Sequence, residues 1–178
     1  MKLTKFESNQ KKEVIPLFEK SFGDSEGEAE GKVIGSLVLE PLDTTEKHDL
    51  FGYCAMDREN IVGCIFFSRL STASDRSVFM LSPVAVATNH QRTGVGQSLI
   101  NYGLEKIKSQ GVDLVVTYGD PNYYSKVGFN SITEKTIAAP YSLSYPEGWQ
   151  AQSLTKEPIS PVQGKTQCVE AFRNQEYW

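Results

Sequence analysis

Residues that bind transition metals or form disulfides are scarce in this 178-residue sequence, which has two histidines and three cysteines. The cysteine count is odd, and no two cysteines have the spacing of a zinc knuckle or a redox motif. Cys54 and Cys64 lie in apolar, strand-like runs, so we expect them to be small buried hydrophobic side chains. We therefore expect no metal cofactor.

The sequence also lacks an excess of basic residues and any apolar run long enough to span a bilayer. Its formal net charge of -4 gives no electrostatic footprint for nucleic acid. Residues 1–14 are charged and contain no apolar segment of the signal-peptide type. We therefore expect a cytoplasmic protein that binds neither nucleic acid nor membrane, with its 178 residues forming a single domain, 1–178.

Apolar periodicity and turn residues predict the order of secondary structure. The expected elements are helices over 8–22 and 26–40, a loop over 41–49, a hairpin over 50–56 and 61–70, a strand over 78–87, a helix ending near 110, a strand over 113–119, a short helix over 120–127, and weakly marked strands over 149–154 and 166–172. This order predicts an α/β (mixed α+β) fold with a central, mostly antiparallel sheet flanked by helices.

Capping residues and prolines refine three of these elements. Ser8 or Asn9 would cap the first helix, and Pro16 would kink or restart it. Asp120 is a suitable cap for the short helix, which Gly128 would end.

The segment QRTGVGQSL, residues 91–99, places two glycines between a strand and a helix. The first N–H groups of a helix have no partners within it and carry partial positive charge, so such a turn can bind a phosphate through its backbone. Leu99 excludes a dinucleotide fingerprint, and Gln97 with Ser98 excludes a P-loop. A phosphate-binding turn and an ordinary strand-to-helix loop both remain open from the turn alone.

Two motifs together resemble the GNAT N-acetyltransferase superfamily. LSPVAVATNHQRTGVGQSLI resembles its coenzyme A signature, an apolar strand followed by Gln/Arg-x-x-Gly-x-Gly/Ala at the start of a helix. GDPNYYSKVGF is also similar, with Tyr124 four residues before Gly128-Phe129. The double match covers about 78–130, and its Gly-Asp-Pro-x-Tyr-Tyr form is similar to one bacterial branch. Residues after about 131 carry no matching motif.

The resemblance implies acetyl-CoA as cosubstrate, with its pyrophosphate on the glycine turn and its pantetheine arm on strand 78–87, where that strand splays from strand 113–119. Pro83 would mark either a bulge or an edge strand there. The cofactor-binding residues implied are Val84, Ala85, Val86, Gln91, Arg92, Thr93, Gly94, Val95, Gly96, Gln97, Ser98 and Tyr123.

Acetyl transfer to an amine needs a base, an N–H donor for the thioester oxygen and a proton for the leaving thiolate. The resemblance implies a backbone N–H within 84–86 as the donor. Tyr124 is the expected acid, because its ordinary pKa near 10 lies close to that of an alkyl thiol. Tyr123 is its rival, since the two side chains point in different directions on a helix.

The base stays open, because strand 78–87 contains no acid and no histidine. Glu40, His48, Asp120 and a water relay are the candidates, although helix capping explains Asp120 better.

The resulting hypothesis is an N-acetyltransferase for a small-molecule or peptide amine. A non-catalytic acyl-CoA-binding or regulatory domain is the alternative, and a nucleotide or phosphosugar binder is a weaker third. A sheet edge formed by the C-terminal strands would allow a homodimer.

Overall fold

A seven-stranded sheet and four α-helices make up the computed structural model, which describes residues 1–178. The strands are β1 (Lys2–Lys5), β2 (Leu50–Asp57), β3 (Asn60–Arg69), β4 (Val78–Val86), β5 (Leu114–Tyr118), β6 (Asn130–Ser131) and β7 (Trp149–Ser153). The helices are α1 (Lys11–Glu26), α2 (Glu28–Thr44), α3 (Val95–Lys108) and α4 (Pro121–Tyr124). The strand order is β1-β2-β3-β4-β5-β7-β6, with one parallel pair, β4 with β5. This is the predicted mixed fold with a mostly antiparallel sheet.

The chain divides into two compact units, and β4 and α3 each pass from one unit to the other. The first unit is Met1–Phe67 with Pro83–Gly103, and the second is Ser68–Ser82 with Leu104–Trp178. The prediction that 1–178 is a single domain stays a prediction.

In the first unit, α1 and α2 pack closely because glycines lie at their contact. A Cβ at Gly31 would be only 2.3 Å from the carbonyl oxygen of Glu19. Gly27 alone joins the two helices, and its φ of 106° is in the left-handed half of conformational space that glycine adopts without strain. The helices cover a core that includes Val14 and Phe18 together with the two thiols Cys54 and Cys64, all 0% exposed.

In the second unit, β5 lies between β4 and β7. The register pairs Leu114–Thr117 in parallel with Val78–Leu81, and Leu114–Tyr118 antiparallel with Trp149–Ser153. Trp149 is fully buried, and its indole Nε1 donates to the carbonyl oxygen of Ile137 at 2.8 Å.

Several sequence predictions are confirmed. The hairpin forms with Arg58 in its turn at φ 56°, and α3 ends before Gly111, whose φ is 83°. Asp120 caps α4, accepting from the backbone N–H of Asn122 at 2.9 Å. All three cysteines are buried.

The structure differs from the prediction at three elements. Helix α1 starts after Ser8 and Asn9, neither of which caps it, and it continues through Pro16, losing one backbone hydrogen bond. The expected loop over 41–49 begins late, because α2 runs through the buried Pro41 to Thr44. Residues 166–172 form a single bridge at Gln167 and a short 3-10 turn rather than a strand. Of the two alternatives for Pro83, an edge strand does not fit, because β4 lies between β3 and β5 in the sheet, and the bulge stays a prediction.

The sequence analysis also missed β1, which pairs antiparallel with β2 from Lys2 to Lys5. This strand has only four residues and is mostly polar, so it shows no alternation of apolar and polar side chains. None of the helices combines the length and the low polarity needed to cross a bilayer.

Candidate active site

The glycine turn connects β4 to α3 in the first unit. Arg92 and Gly94 both have positive φ, 61° and 87°. Space is open around Gly94, where an added Cβ would have no atom within 4 Å, so conformation rather than crowding favours glycine there. Helix α3 begins with Ser98 N–H donating to the Gly94 carbonyl at 3.0 Å. The N–H groups of the three residues between them therefore have no intrahelical acceptor.

Two side chains of the turn are used to hold it in place. Gln91 Nε2 donates to the carbonyl of Val86 at 3.0 Å and to Ser21 Oγ at 3.4 Å. Ser21 Oγ itself donates to the Val86 carbonyl at 3.0 Å, so α1 and the turn are fixed to the end of β4. Thr93 Oγ1 donates to the carbonyl of His90. Gln91 is thus a brace for the turn, a role that its sequence position did not indicate.

The remaining residues of the turn divide into exposed and buried ones. Arg92, Gly94 and Ser98 are exposed, and Gln97 is half-buried. Val95 is 3% exposed and packs inward, so it can offer only its backbone to a ligand. Gly96 is buried as well. The turn therefore exposes Arg92, Gly94 and Ser98, while two of the three N–H groups without an intrahelical acceptor belong to the buried Val95 and Gly96.

The end of β4 alternates between core and partly exposed positions. Ala85 is 1% exposed and belongs to the core cluster of Phe18, Cys54 and Cys64. Val84 and Val86 are half-buried. Of the predicted pantetheine residues, Ala85 therefore has its methyl group in the core and would contribute backbone only.

In the second unit, the pairing of β4 with β5 stops at Leu81 and Thr117, although β4 continues to Val86. Thr117 is 0% exposed, and its Oγ1 donates to the carbonyl of Leu81 at 3.0 Å. A hydroxyl thus occupies the last paired position, in agreement with the predicted splaying of these central strands.

Tyr124 lies beside this last pair. Its ring makes edge contacts with Phe129 and Tyr123, at centroid distances of 5.8 Å and 5.2 Å. Burial raises the pKa of Tyr124 to about 12, while a side-chain hydrogen bond with Thr117 opposes the rise. Proton donation without a large pKa shift was expected, and that expectation is wrong, because the phenol is buried. Burial also raises the pKa of Tyr123.

The Tyr124 ring leaves no room for a side chain at position 119. A Cβ at Gly119 would lie 2.9 Å from Cε2 of Tyr124. Sequence reasoning missed both Gly119 and Thr117. The signal for Thr117 was a polar residue inside the otherwise apolar run LVVTY.

The base candidates are on the surface. Glu40 and His48 are exposed, and the His48 imidazole lies 3.6 Å and 3.7 Å from the carboxylates of Asp49 and Glu46. The Asp120 carboxylate binds both N–H groups of Asn122, backbone and side chain, at 2.9 Å and 3.0 Å, which fits a cap. Among residues 1–178, no group of three or more His, Cys, Asp or Glu is arranged to hold a metal ion.

Comparison with known proteins shows which family this region of the chain is similar to. Residues 47–131, which include β4, the turn, α3 and Tyr124, match the acetyltransferase (GNAT) domain family.

Two named relatives from Escherichia coli are similar to this chain over 61% and 83% of its length. The uncharacterized N-acetyltransferase YjhQ of Escherichia coli is 31% identical over 61% of this chain, and the match spans 63% of YjhQ, just under two thirds of its length. The uncharacterized N-acetyltransferase YhbS of the same species is 25% identical over 83% of this chain and 85% of its own.

Similarity in fold to solved structures covers nearly the whole chain. The structure of Escherichia coli YhbS in complex with CoA superposes with a TM-score of 0.74 at 23% identity, covering 97% of this chain and 92% of that one. A GNAT family acetyltransferase from Brucella melitensis in complex with acetyl-CoA gives 0.71 at 23% identity, covering 96% and 97%.

Proposed function

We propose that this protein is an N-acetyltransferase that moves an acetyl group from acetyl-CoA to a primary amine by direct attack of the amine on the thioester. The observation that carries the proposal is the exposed turn with positive φ at Arg92 and Gly94, which opens α3 inside a GNAT domain. The relatives YjhQ and YhbS are named N-acetyltransferases, and two structural neighbours hold CoA or acetyl-CoA.

The residues of the turn fit a pyrophosphate. The N–H groups of Val95, Gly96 and Gln97 precede the first intrahelical bond of α3 and would bind phosphate oxygens. The Arg92 guanidinium adds a positive charge at the same turn, and the open space at Gly94 admits the ligand. The braces made by Gln91 and Thr93 hold these N–H groups in place before binding, which lowers the entropic cost of binding.

The Tyr124 phenol would assist departure of the thiolate. A pKa of about 12 keeps the phenol protonated at neutral pH, so it always has a hydrogen to donate. It is then a weaker acid than an alkyl thiol, so the phenol donates a hydrogen bond to the thiolate, and complete proton transfer is uphill. The hydrogen bond with Thr117 orients the phenol toward the last pair of β4 and β5.

The other two chemical roles fall to backbone and solvent. A backbone N–H within Val84–Val86 would donate to the thioester oxygen. The preceding residue, Pro83, has no backbone N–H to donate. The exposure of Glu40 and His48 favours a water relay as the path for the proton of the ammonium. The acceptor class is a small-molecule or peptide amine, and membership of the bacterial branch with Gly-Asp-Pro-x-Tyr-Tyr belongs to the same proposal.

The proposal is tested by release of free CoA from acetyl-CoA with a broad panel of primary amines. We expect release that requires an amine, with kcat reduced at least tenfold in Tyr124→Phe and the KM for acetyl-CoA unchanged. Tyr123→Phe, on the same short helix, tests the rival tyrosine and should keep its kcat at saturating acetyl-CoA, because the Tyr124 phenol is the proposed donor.

Two results would contradict the proposal. Full activity of Tyr124→Phe across pH would remove Tyr124 from the chemistry. Tight binding of acetyl-CoA without turnover of any amine would favour the non-catalytic acyl-CoA-binding alternative.

A further inference from the structure

An exposed tyrosine is separated from the proposed proton donor by two glycines, and hydrogen bonds hold its backbone in place. Tyr145 is 48% exposed, one of few large apolar side chains on the surface. Its backbone N–H donates to the phenol oxygen of Tyr118 at 2.7 Å, and its carbonyl accepts from Gly148 N–H at 2.9 Å. A Cβ at Gly148 would lie 2.7 Å from Tyr145 Cδ1, so the ring rests directly on the glycine. One part of the ring is packed and the rest is open.

A cluster of stacked aromatic side chains, with Trp178 buried and Tyr118 and Tyr141 half-buried, holds the segment that carries Tyr145. Tyr118 stacks on Trp178 with a centroid distance of 6.4 Å and an interplanar angle of 19°, and Tyr141 stacks on the same indole at 6.2 Å. Trp178 is 3% exposed, and its Nε1 donates to the carbonyl of Phe172 at 3.0 Å. Tyr118 also shares a hydrogen bond with Ser144 Oγ at 3.0 Å. The segment that carries Tyr145 is thus fixed at the end of β5.

Two glycine backbones separate Tyr145 from Tyr124. Gly119 lies against the Tyr124 ring, where a Cβ would come within 2.9 Å of it. Gly148 lies against the Tyr145 ring, and a Cβ there would also be 3.0 Å from the Gly119 carbonyl oxygen. The Gly119 N–H donates to the Gly148 carbonyl at 3.0 Å, which joins the two glycines. The open Tyr145 ring and the half-buried Tyr124 ring are therefore linked through the paired Gly119 and Gly148 backbones, within one unit.

We propose that the open face of Tyr145 binds the body of the acceptor, and that the preferred acceptors are amines that carry a planar aromatic ring. This proposal rests on the proposed function, because it places the acceptor next to Tyr124. The reacting nitrogen must be neutral when it attacks, so the ring binds the acceptor's body through offset or edge contact rather than its charge. The exposed carboxylates of Glu147, two residues after Tyr145, and of Asp120, next to Gly119, would attract the ammonium form before deprotonation.

The experiment compares two acceptors of similar apolar size, phenethylamine and the flexible hexylamine, on the full chain. An aromatic pair contributes about 0.5–1.5 kcal/mol beyond burial of area, which corresponds to roughly two- to tenfold in KM. We expect the KM for phenethylamine to rise by this factor in Tyr145→Ala and Tyr145→Leu, with kcat nearly unchanged. Tyr145→Phe should behave as wild type, and so should Val33→Ala, which truncates another exposed apolar side chain on α2.

Binding is measured separately by saturation-transfer NMR of phenethylamine on the CoA-saturated protein, so the outcome does not depend on turnover. Loss of the signal in Tyr145→Leu and its retention in Tyr145→Phe would support the proposal. Equal losses for phenethylamine and hexylamine, or unchanged KM and NMR signal in Tyr145→Ala, would overturn it. If phenethylamine binds at Tyr145 but no amine is acetylated, the proposed function fails while the binding surface stands.

Discussion

Gly94→Asp tests the proposed pyrophosphate position, and Gly111→Asp is its matched control. The two glycines flank α3, have φ of 87° and 83°, and have no atom within 4 Å of an added Cβ. Each substitution therefore carries the same left-handed strain of about 1–2 kcal/mol. The two variants differ in the end of the helix that receives the negative charge.

Of the two variants, the more stable one should be the one that binds acetyl-CoA more weakly. An aspartate near a helix N-terminus is favourable and one near the C-terminus is unfavourable, each by about 0.3–1 kcal/mol, so Gly94→Asp should be the more stable variant. A carboxylate about 4 Å from a phosphate charge costs about 1 kcal/mol in a water-like dielectric and about 4 kcal/mol at an effective dielectric constant of 20. Gly94→Asp should therefore weaken acetyl-CoA binding by roughly fivefold to a thousandfold, and Gly111→Asp should not weaken it.

Isothermal titration calorimetry with acetyl-CoA at low and high salt measures the difference, with urea unfolding as the stability control. Gly94→Asn separates charge from bulk, because it should bind better than Gly94→Asp at low salt and approach it as salt screens the repulsion. Equal affinities for folded Gly94→Asp and Gly111→Asp would refute the placement of the pyrophosphate at this turn.

Three further predictions concern the rest of the chain. Burial raises the pKa of Tyr53 and of Tyr124 to about 12, so the free energy of unfolding should fall as the pH rises from 10 towards 12. These two of the eight tyrosines should titrate last in absorbance at 295 nm, and either Tyr→Phe variant should lose one of them from the last step. The buried Cys54 and Cys64 thiols lie 3.6 Å apart, and burial raises the pKa of Cys64. Both thiols should therefore resist Ellman's reagent in the folded protein and react after unfolding. Fast labelling of the native protein would contradict their packing. Gly31→Ala places a Cβ 2.3 Å from the Glu19 carbonyl oxygen and should destabilise the protein by about 1–3 kcal/mol. Gly23→Ala, whose Cβ would have its nearest contact at 3.9 Å, should be neutral or stabilising. Equal melting temperatures of the two variants would argue against the close α1–α2 contact.

The sequence predicted the elements whose signal is local. The strand, turn and helix around Gly94 and the cap at Asp120 follow from turn and capping chemistry over a few residues, and they formed as expected. The hairpin over β2 and β3 follows from two apolar runs separated by a short polar turn.

The failures depended on partners distant in sequence. β1 is a strand only because β2 lies beside it, and α2 continues through Pro41 because that residue is buried against the core. The role of Gln91 in holding the turn depends on its contact with Ser21, which lies 70 residues away in the sequence. The raised pKa of Tyr124 needed burial that a four-residue helix does not reveal.

Thermal unfolding with acetyl-CoA tests the central claim most directly, with ATP and NAD as controls that carry phosphates but no pantetheine arm. Acetyl-CoA at about 100 times its dissociation constant should stabilise the native state by about 2.7 kcal/mol, or roughly 5–10 °C for a chain of this size. We predict a shift of this order with acetyl-CoA and none with ATP or NAD. No shift with acetyl-CoA, or equal shifts with all three, would contradict the assignment of the glycine turn to coenzyme A.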